Sequence, residues 1–239
     1  MVKRLRSVLR NPVSPLVLKA GSLSLFIFWM RLGQFSLLRS LTLLIVFLFL
    51  YLKPPINAGR HWVSALALII IALQTPLVGG LLGFYVNLTL GILGFLLLGV
   101  KNLIFIRKQA AYYTLHLVLL VGVASLFFLQ IISPVTTFAL LFLLFREFYS
   151  FVPPKHPELL NLIAASLGML LMQVAWVASF FPTSFLVNAS FLVMVAFLAH
   201  DAILNYFRGT FTEKLAWRNL VVFAVLTIVI LILPVWGFK

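Results

Sequence analysis

Nine apolar runs alternate with short polar interruptions along this chain, at 16–32, 38–52, 62–78, 80–100, 112–132, 134–152, 159–181, 184–206 and 219–237. A bilayer core about 30 Å thick takes roughly 20 apolar residues as a helix, and backbone groups in lipid must be satisfied within their own segment. Runs of this kind therefore predict α-helices and no strands. The expected fold class is an all-α, polytopic transmembrane helix bundle of nine spans, or eight if the first segment is interfacial or re-entrant. The interruptions are of two kinds. Those near 53–61, 101–111, 153–158 and 207–218 carry charge, whereas Gln74-Thr75-Pro76, Ser133-Pro134 and Phe181-Pro182-Thr183-Ser184 carry none. This alternation predicts four helical hairpins closed by tight uncharged turns, followed by a lone final helix.

Composition strengthens the membrane reading. Hydrophobic residues make up 64% and charged residues 9%, against about 45–50% and 25% in ordinary soluble domains, so the chain lacks the polar surface that water requires. Residues 1–239 read as a single integral membrane domain. The net charge of +14 would suggest nucleic acid in a soluble protein, but no basic patch is interleaved with exposed aromatics. The expected partners are membrane lipids, with anionic headgroups meeting the basic loops at the inner surface, and no nucleic acid. With the N-terminus inside, 13 Lys and Arg face inward and 3 outward; if the first segment does not span, the split falls to about 8 and 9 and the positive-inside bias is lost. The expected location is thus the inner (plasma) membrane of the cell, N-terminus cytoplasmic and C-terminus outside. Residues 1–11, with Lys3, Arg4, Arg6 and Arg10, read as a retained basic cytoplasmic anchor, since no small-residue cleavage site follows Leu16 to Met30.

Two helical faces stand out. Gly80, Gly83, Asn87, Gly91 and Gly94 follow spacings of 3, 4, 4 and 3, one stripe along which a neighbouring backbone can approach closely. Asn87 and Gln173 are the mid-membrane amides, expected inside the bundle either as interhelical hydrogen-bonding groups or as solute ligands. A looser small-residue stripe follows Asn161, Ala165, Gly168, Ala175 and Ser179.

Ionisable groups in a span are expensive enough to be candidate sites. Glu147 and Asp201 are the acids that fall within spans, each near an inner helix end and next to Arg146 and His200; Asp201, Asn205 and Arg208 share a face, and His116 enters a neighbouring inner end. Three readings follow for Arg146, Glu147, His200, Asp201, Asn205 and His116. They form a proton or substrate relay, a metal site, or simply a set of snorkelling and mutually paired interfacial groups. Spacing argues against metal, because there is no His pair at i, i+4 and Arg146 and Glu147 diverge by about 100° on a helix. Absence of Cys excludes disulfides and thiol chemistry. No G-x-S-x-G, no paired intramembrane aspartates and no Walker loop occur, so neither a catalytic residue nor a cofactor is assigned.

Phe127 to Glu147, with Phe127-Phe128-Leu129 ahead of Pro134, and Phe191 to Arg218 resemble segments of uncharacterised multi-spanning proteins of small-genome bacteria. The resemblance covers about a fifth of the chain and implies no activity. Two functions are expected from the residues themselves. One is a small transporter or binder of a small or lipid-like solute. The other is a non-catalytic subunit or scaffold of a cell-envelope assembly, whose glycine stripe receives a membrane-protein partner.

Overall fold

The computed structural model describes residues 13–31, 37–53, 58–75, 80–102, 108–151, 159–181 and 183–232. Among them the chain is all-helical: α1 (Val13–Arg31), α2 (Leu37–Leu52), a 3-10 turn at Ala58–Arg60, α3 (Trp62–Gln74), α4 (Gly80–Lys101), α5 (Lys108–Phe128), α6 (Pro134–Tyr149), α7 (Leu159–Ala178), α8 (Phe185–Arg208) and α9 (Glu213–Ile232). Each predicted run holds one helix. Among the described residues four helices, not nine, are long and apolar enough to cross a membrane: Gly83–Lys101, Gln109–Phe128, Leu159–Ala178 and Phe185–Arg208. Those at Ser14–Trp29, Ser40–Leu52 and Trp62–Gln74 are apolar but shorter. The α2 helix ends at Leu52, directly before Lys53. The α6 helix, at 16 residues, reaches only about 24 Å. The basic segment 1–11 lies outside the described residues.

Two helix boundaries depart from the apolar runs for local reasons. The α5 helix stops four residues early because Gln130 takes a left-handed backbone (φ 58°) and the Ile131 N–H bonds back to the Leu126 carbonyl at 3.0 Å, a Schellman ending. Ser133 then caps α6, accepting the Thr136 N–H at 3.2 Å, with Pro134 in the first turn, where its missing N–H costs nothing. The α9 helix starts six residues early. Thr212 accepts the Leu215 N–H at 3.3 Å and Glu213 occupies the first turn, so the charged stretch read as loop is helix. A left-handed Gly209 (φ 69°) closes α8 just before it.

The helices gather into two compact units, Met1–His116 and Leu117–Lys239. In the first unit α1 packs on α2 and α4, and α3 on α4. The α1 helix buries Leu16, Ala20, Leu23 and Ile27, a stripe of spacing 4, 3 and 4. It meets α4 along the predicted glycine face: a Cβ at Gly91 would lie 2.7 Å from the Ser24 hydroxyl, and one at Gly94 2.8 Å from Leu23 Cδ2. The glycines thus admit α1, and this stretch of the face is covered within the chain. Gly83 is buried on the same helix, to which Gly80 is the first residue. In the second unit the tightest pair is α6 with α7, followed by α7 with α8 and α8 with α9. Gly168 faces Phe138 and Phe142 there, while Ala164, Leu167, Leu171, Ala175 and Ala178 are buried beside it. The buried face of α7 is rotated from the predicted one, leaving Asn161 and Ser179 exposed.

Candidate functional site

The second unit carries polar structure at both ends. Its turn end is built from the α5–α6 and α7–α8 connections. Thr183 donates its hydroxyl to Asn188 Oδ1, and Asn188 is only 5% exposed. The Phe181 and Phe191 rings meet edge-on at 5.9 Å. Between the two connections lies a cavity of about 590 Å3 walled by Phe127, Phe128, Ile131, Ile132, Phe181 and Phe185, with Gln130, Ser133, Ser179, Thr183 and Asn188 supplying amide and hydroxyl groups. This pairing of aromatic wall with a few polar groups suits a small amphipathic molecule, and the volume falls within the range of small-molecule sites. Gln130 stands on this wall in the left-handed backbone already noted, a conformation costing a non-glycine residue about 1 kcal/mol or more.

The other end holds the residues expected from sequence, separated into two arrangements. His200 is fully buried, and its Nδ1 shares a 2.6 Å hydrogen bond with the Tyr149 hydroxyl, while the rings of Phe148 and Phe145 lie 4.5 and 5.3 Å away. Asp201, one residue on, turns to α9. Its carboxylate accepts from Asn219 at 2.9 Å, from Asn205 at 3.1 Å and from the Arg218 guanidinium at 3.3 Å. Successive helical residues point about 100° apart, so His200 and Asp201 serve different neighbours and do not form a joint site. Twelve residues along α8 separate Asn188 from His200, about 18 Å, so the cavity and this polar end are distinct.

Arg146 is exposed and Glu147 buried on adjacent faces of α6. His116 belongs to the first unit, fully buried, with its ring 6.5 Å from Tyr112. Asn87 is half-buried on α4. Gln173, expected inside the bundle, is exposed on α7 beside the exposed Met169 and Trp176, because the buried alanine and leucine face lies elsewhere on that helix. Among the described residues no three His, Asp or Glu side chains are placed to hold a metal ion.

Sequence reasoning missed the partners that matter most to Asp201. It grouped Asp201 with Arg208, which is exposed at the end of α8; Arg218 and Asn219 take that place because α9 begins at Glu213. The Thr212-Glu213 pair, a cap residue followed by an acid, was the available signal. Asn188 carries no such signal, because the cavity around it is assembled from two connections distant in sequence. Compared with family models, with curated proteins and with solved structures, the chain finds no match.

Proposed function

We propose that this chain is a multi-pass cell-membrane protein that binds a small or lipid-like solute in the cavity between its two proline-bearing turns. The observation that carries this reading is the cavity itself, with its phenylalanine wall and its amide and hydroxyl groups. By contrast, His200 and Asp201 are engaged in hydrogen bonds that tie helices together, so the polar end serves cohesion. Whether the protein stores the solute or carries it across, capture in this cavity is the first event.

In this reading all nine helices cross or enter the bilayer, with the N-terminus cytoplasmic, the basic connections against anionic headgroups and the cavity turns outside. The shorter helices are accommodated by bilayer thinning and snorkelling of Lys and Arg. Single cysteines introduced into this cysteine-free chain test the orientation. A cysteine at Ser184 is expected to react with a membrane-impermeant reagent from outside, and one at Gly209 only after permeabilisation; the reverse pattern overturns the orientation.

Native mass spectrometry of the protein released gently from membranes tests the binding. The expected result is a reproducible small added mass that is reduced in Ser179→Trp, whose indole would occupy part of the cavity. A wild-type spectrum without such a mass, or one undiminished in Ser179→Trp, overturns the reading.

A further inference from the structure

The stretches that build the solute cavity carry no ionisable side chain. No Lys, Arg, His, Asp, Glu or Tyr occurs in 117–145 or in 159–199, and the cavity is lined wholly from these two stretches. Along α6 and α8 the first ionisable groups, Arg146 and His200, come twelve residues after Pro134 and Asn188, about 18 Å along each helix. A charged group drawn between the phenyl rings would leave water without a counter-charge to meet it, at a cost of several kcal/mol. The cavity therefore favours an uncharged occupant.

The polar groups of the wall narrow the choice further. Ser179 donates its hydroxyl to the Trp176 carbonyl at 2.6 Å and Thr183 donates to Asn188 Oδ1, so both oxygens keep lone pairs and have no proton left to give. Asn188 is 95% buried, and among the described residues nothing accepts from its Nδ2. Because Thr183 bonds to the other end of the same amide, this free donor and the Thr183 lone pairs stand side by side. Turning the amide over only exchanges the roles, since Nδ2 then gives to Thr183, whose proton is released, and Oδ1 becomes the free acceptor. In either orientation one donor and one acceptor adjoin. Main-chain bonds hold them there, from the Thr183 N–H to the Phe181 carbonyl at 2.8 Å and from the Asn188 N–H to the Ser184 carbonyl at 3.1 Å.

A hydroxyl group accepts and donates at one atom, which matches this pair. Carbonyls, ethers and carboxylates only accept, and an ammonium only donates. Water can meet the same pair, but it leaves the phenyl wall wet, whereas an amphiphile satisfies both. We infer that the cavity selects an uncharged alcohol with an apolar body, its hydroxyl set between Asn188 and Thr183 and its hydrocarbon against Phe127, Phe128, Phe181 and Phe185. This inference rests on the solute-binding reading above and names the class of solute.

The test uses the full chain in phosphatidylcholine nanodiscs, whose lipid carries no hydroxyl, and follows thermal unfolding with four probes of equal chain length: decanol, decyl sulfate, decylammonium and decane. Decanol is expected to raise Tm by about 2–4 °C and to saturate, as binding to the native state requires, and the other three to give little of that rise. Thr183→Val, which replaces the hydroxyl by a methyl, is expected to remove most of the decanol effect, and Thr183→Ser to retain it. Decane or either ion matching decanol, a decanol rise that Thr183→Val leaves whole, or no rise with any probe overturns the alcohol assignment. The native mass spectrum then separates the two readings. An added mass that Ser179→Trp reduces leaves solute binding standing without the alcohol, and a spectrum without an added mass removes both.

Discussion

The two units handle buried polarity in opposite ways. Unit two holds all four acids of the chain with six of its eighteen bases, and at its polar end side chain answers side chain: Asp201 with Asn205, Arg218 and Asn219, His200 with Tyr149. Unit one holds the other twelve bases and no acid, and its Lys19, Lys53 and Lys101 turn to main-chain carbonyls and aromatic faces. A helix end is a weak and fixed counter-charge, whereas a carboxylate cancels a full charge at a chosen point. At the polar end of the second unit these bonds thus run between side chains, whereas Lys19 and Lys101 of the first donate to main-chain carbonyls. Packing differs in the same sense. In the first unit a Cβ on Gly91 or Gly94 would come within 2.7–2.8 Å of α1 side chains, which would have to shift, while in the second one on Gly168 would meet the ring of Phe138 at 3.3 Å.

The largest effect expected in this comparison is steric. Gly91→Leu forces a side chain into the Ser24 hydroxyl and its Cβ, at 2.7 and 3.0 Å, and is expected to cost about 3 kcal/mol or more and to separate α1 from α4. Gly168→Leu should cost about 1–3 kcal/mol, since a ring can yield where the root of a side chain cannot. Gly21→Ala, with nothing within 4 Å, is expected to be neutral or to stabilise by up to about 1 kcal/mol. Unfolding in mixed micelles ranks the three, and equal losses at Gly91 and Gly168 would abolish the distinction between the interfaces.

A smaller effect separates the two polar arrangements of the second unit. Tyr149→Phe removes a fully buried hydrogen bond and is expected to cost about 1–2 kcal/mol. Asp201→Asn keeps the shape but only one of the two acceptor oxygens, and loses the charge pairing with Arg218, whose side chain is 61% exposed; it should cost about 1 kcal/mol or less. The same unfolding measurement decides the order. Should Asp201→Asn prove the costlier, the charge pair and not the buried Tyr149–His200 bond holds this end together.

How much of this was legible in advance differs between elements. The helices at all nine apolar runs followed from hydropathy, and the uncharged Ser133-Pro134 junction was readable as a turn because a serine cap and a following proline act locally. The glycine stripe was readable as a close-approach face, yet nothing in it named α1 as the helix that would cover it. Asp201 was readable as a polar group in need of partners, but Arg208 and Arg218 were equivalent candidates until the start of α9 was known. The cavity had no single-segment signal at all, since its wall comes from two connections about 50 residues apart.

The amino-acid sequence by itself determined the helical class, the apolar runs, the small-residue face of α4 and the absence of acids before Glu147, because these depend on composition and on the period of one helix. Only the tertiary structure decided that α1 lies on Gly91 and Gly94, that Lys19 and Lys101 reach carbonyls at the end of α2, that His200 and Asp201 part company, and that two turns flank a half-open cavity. The physical reason is that an apolar helix surface is acceptable to many neighbours at nearly equal energy. Its actual neighbour is chosen by the fit of all helices together, which no single stretch of sequence contains.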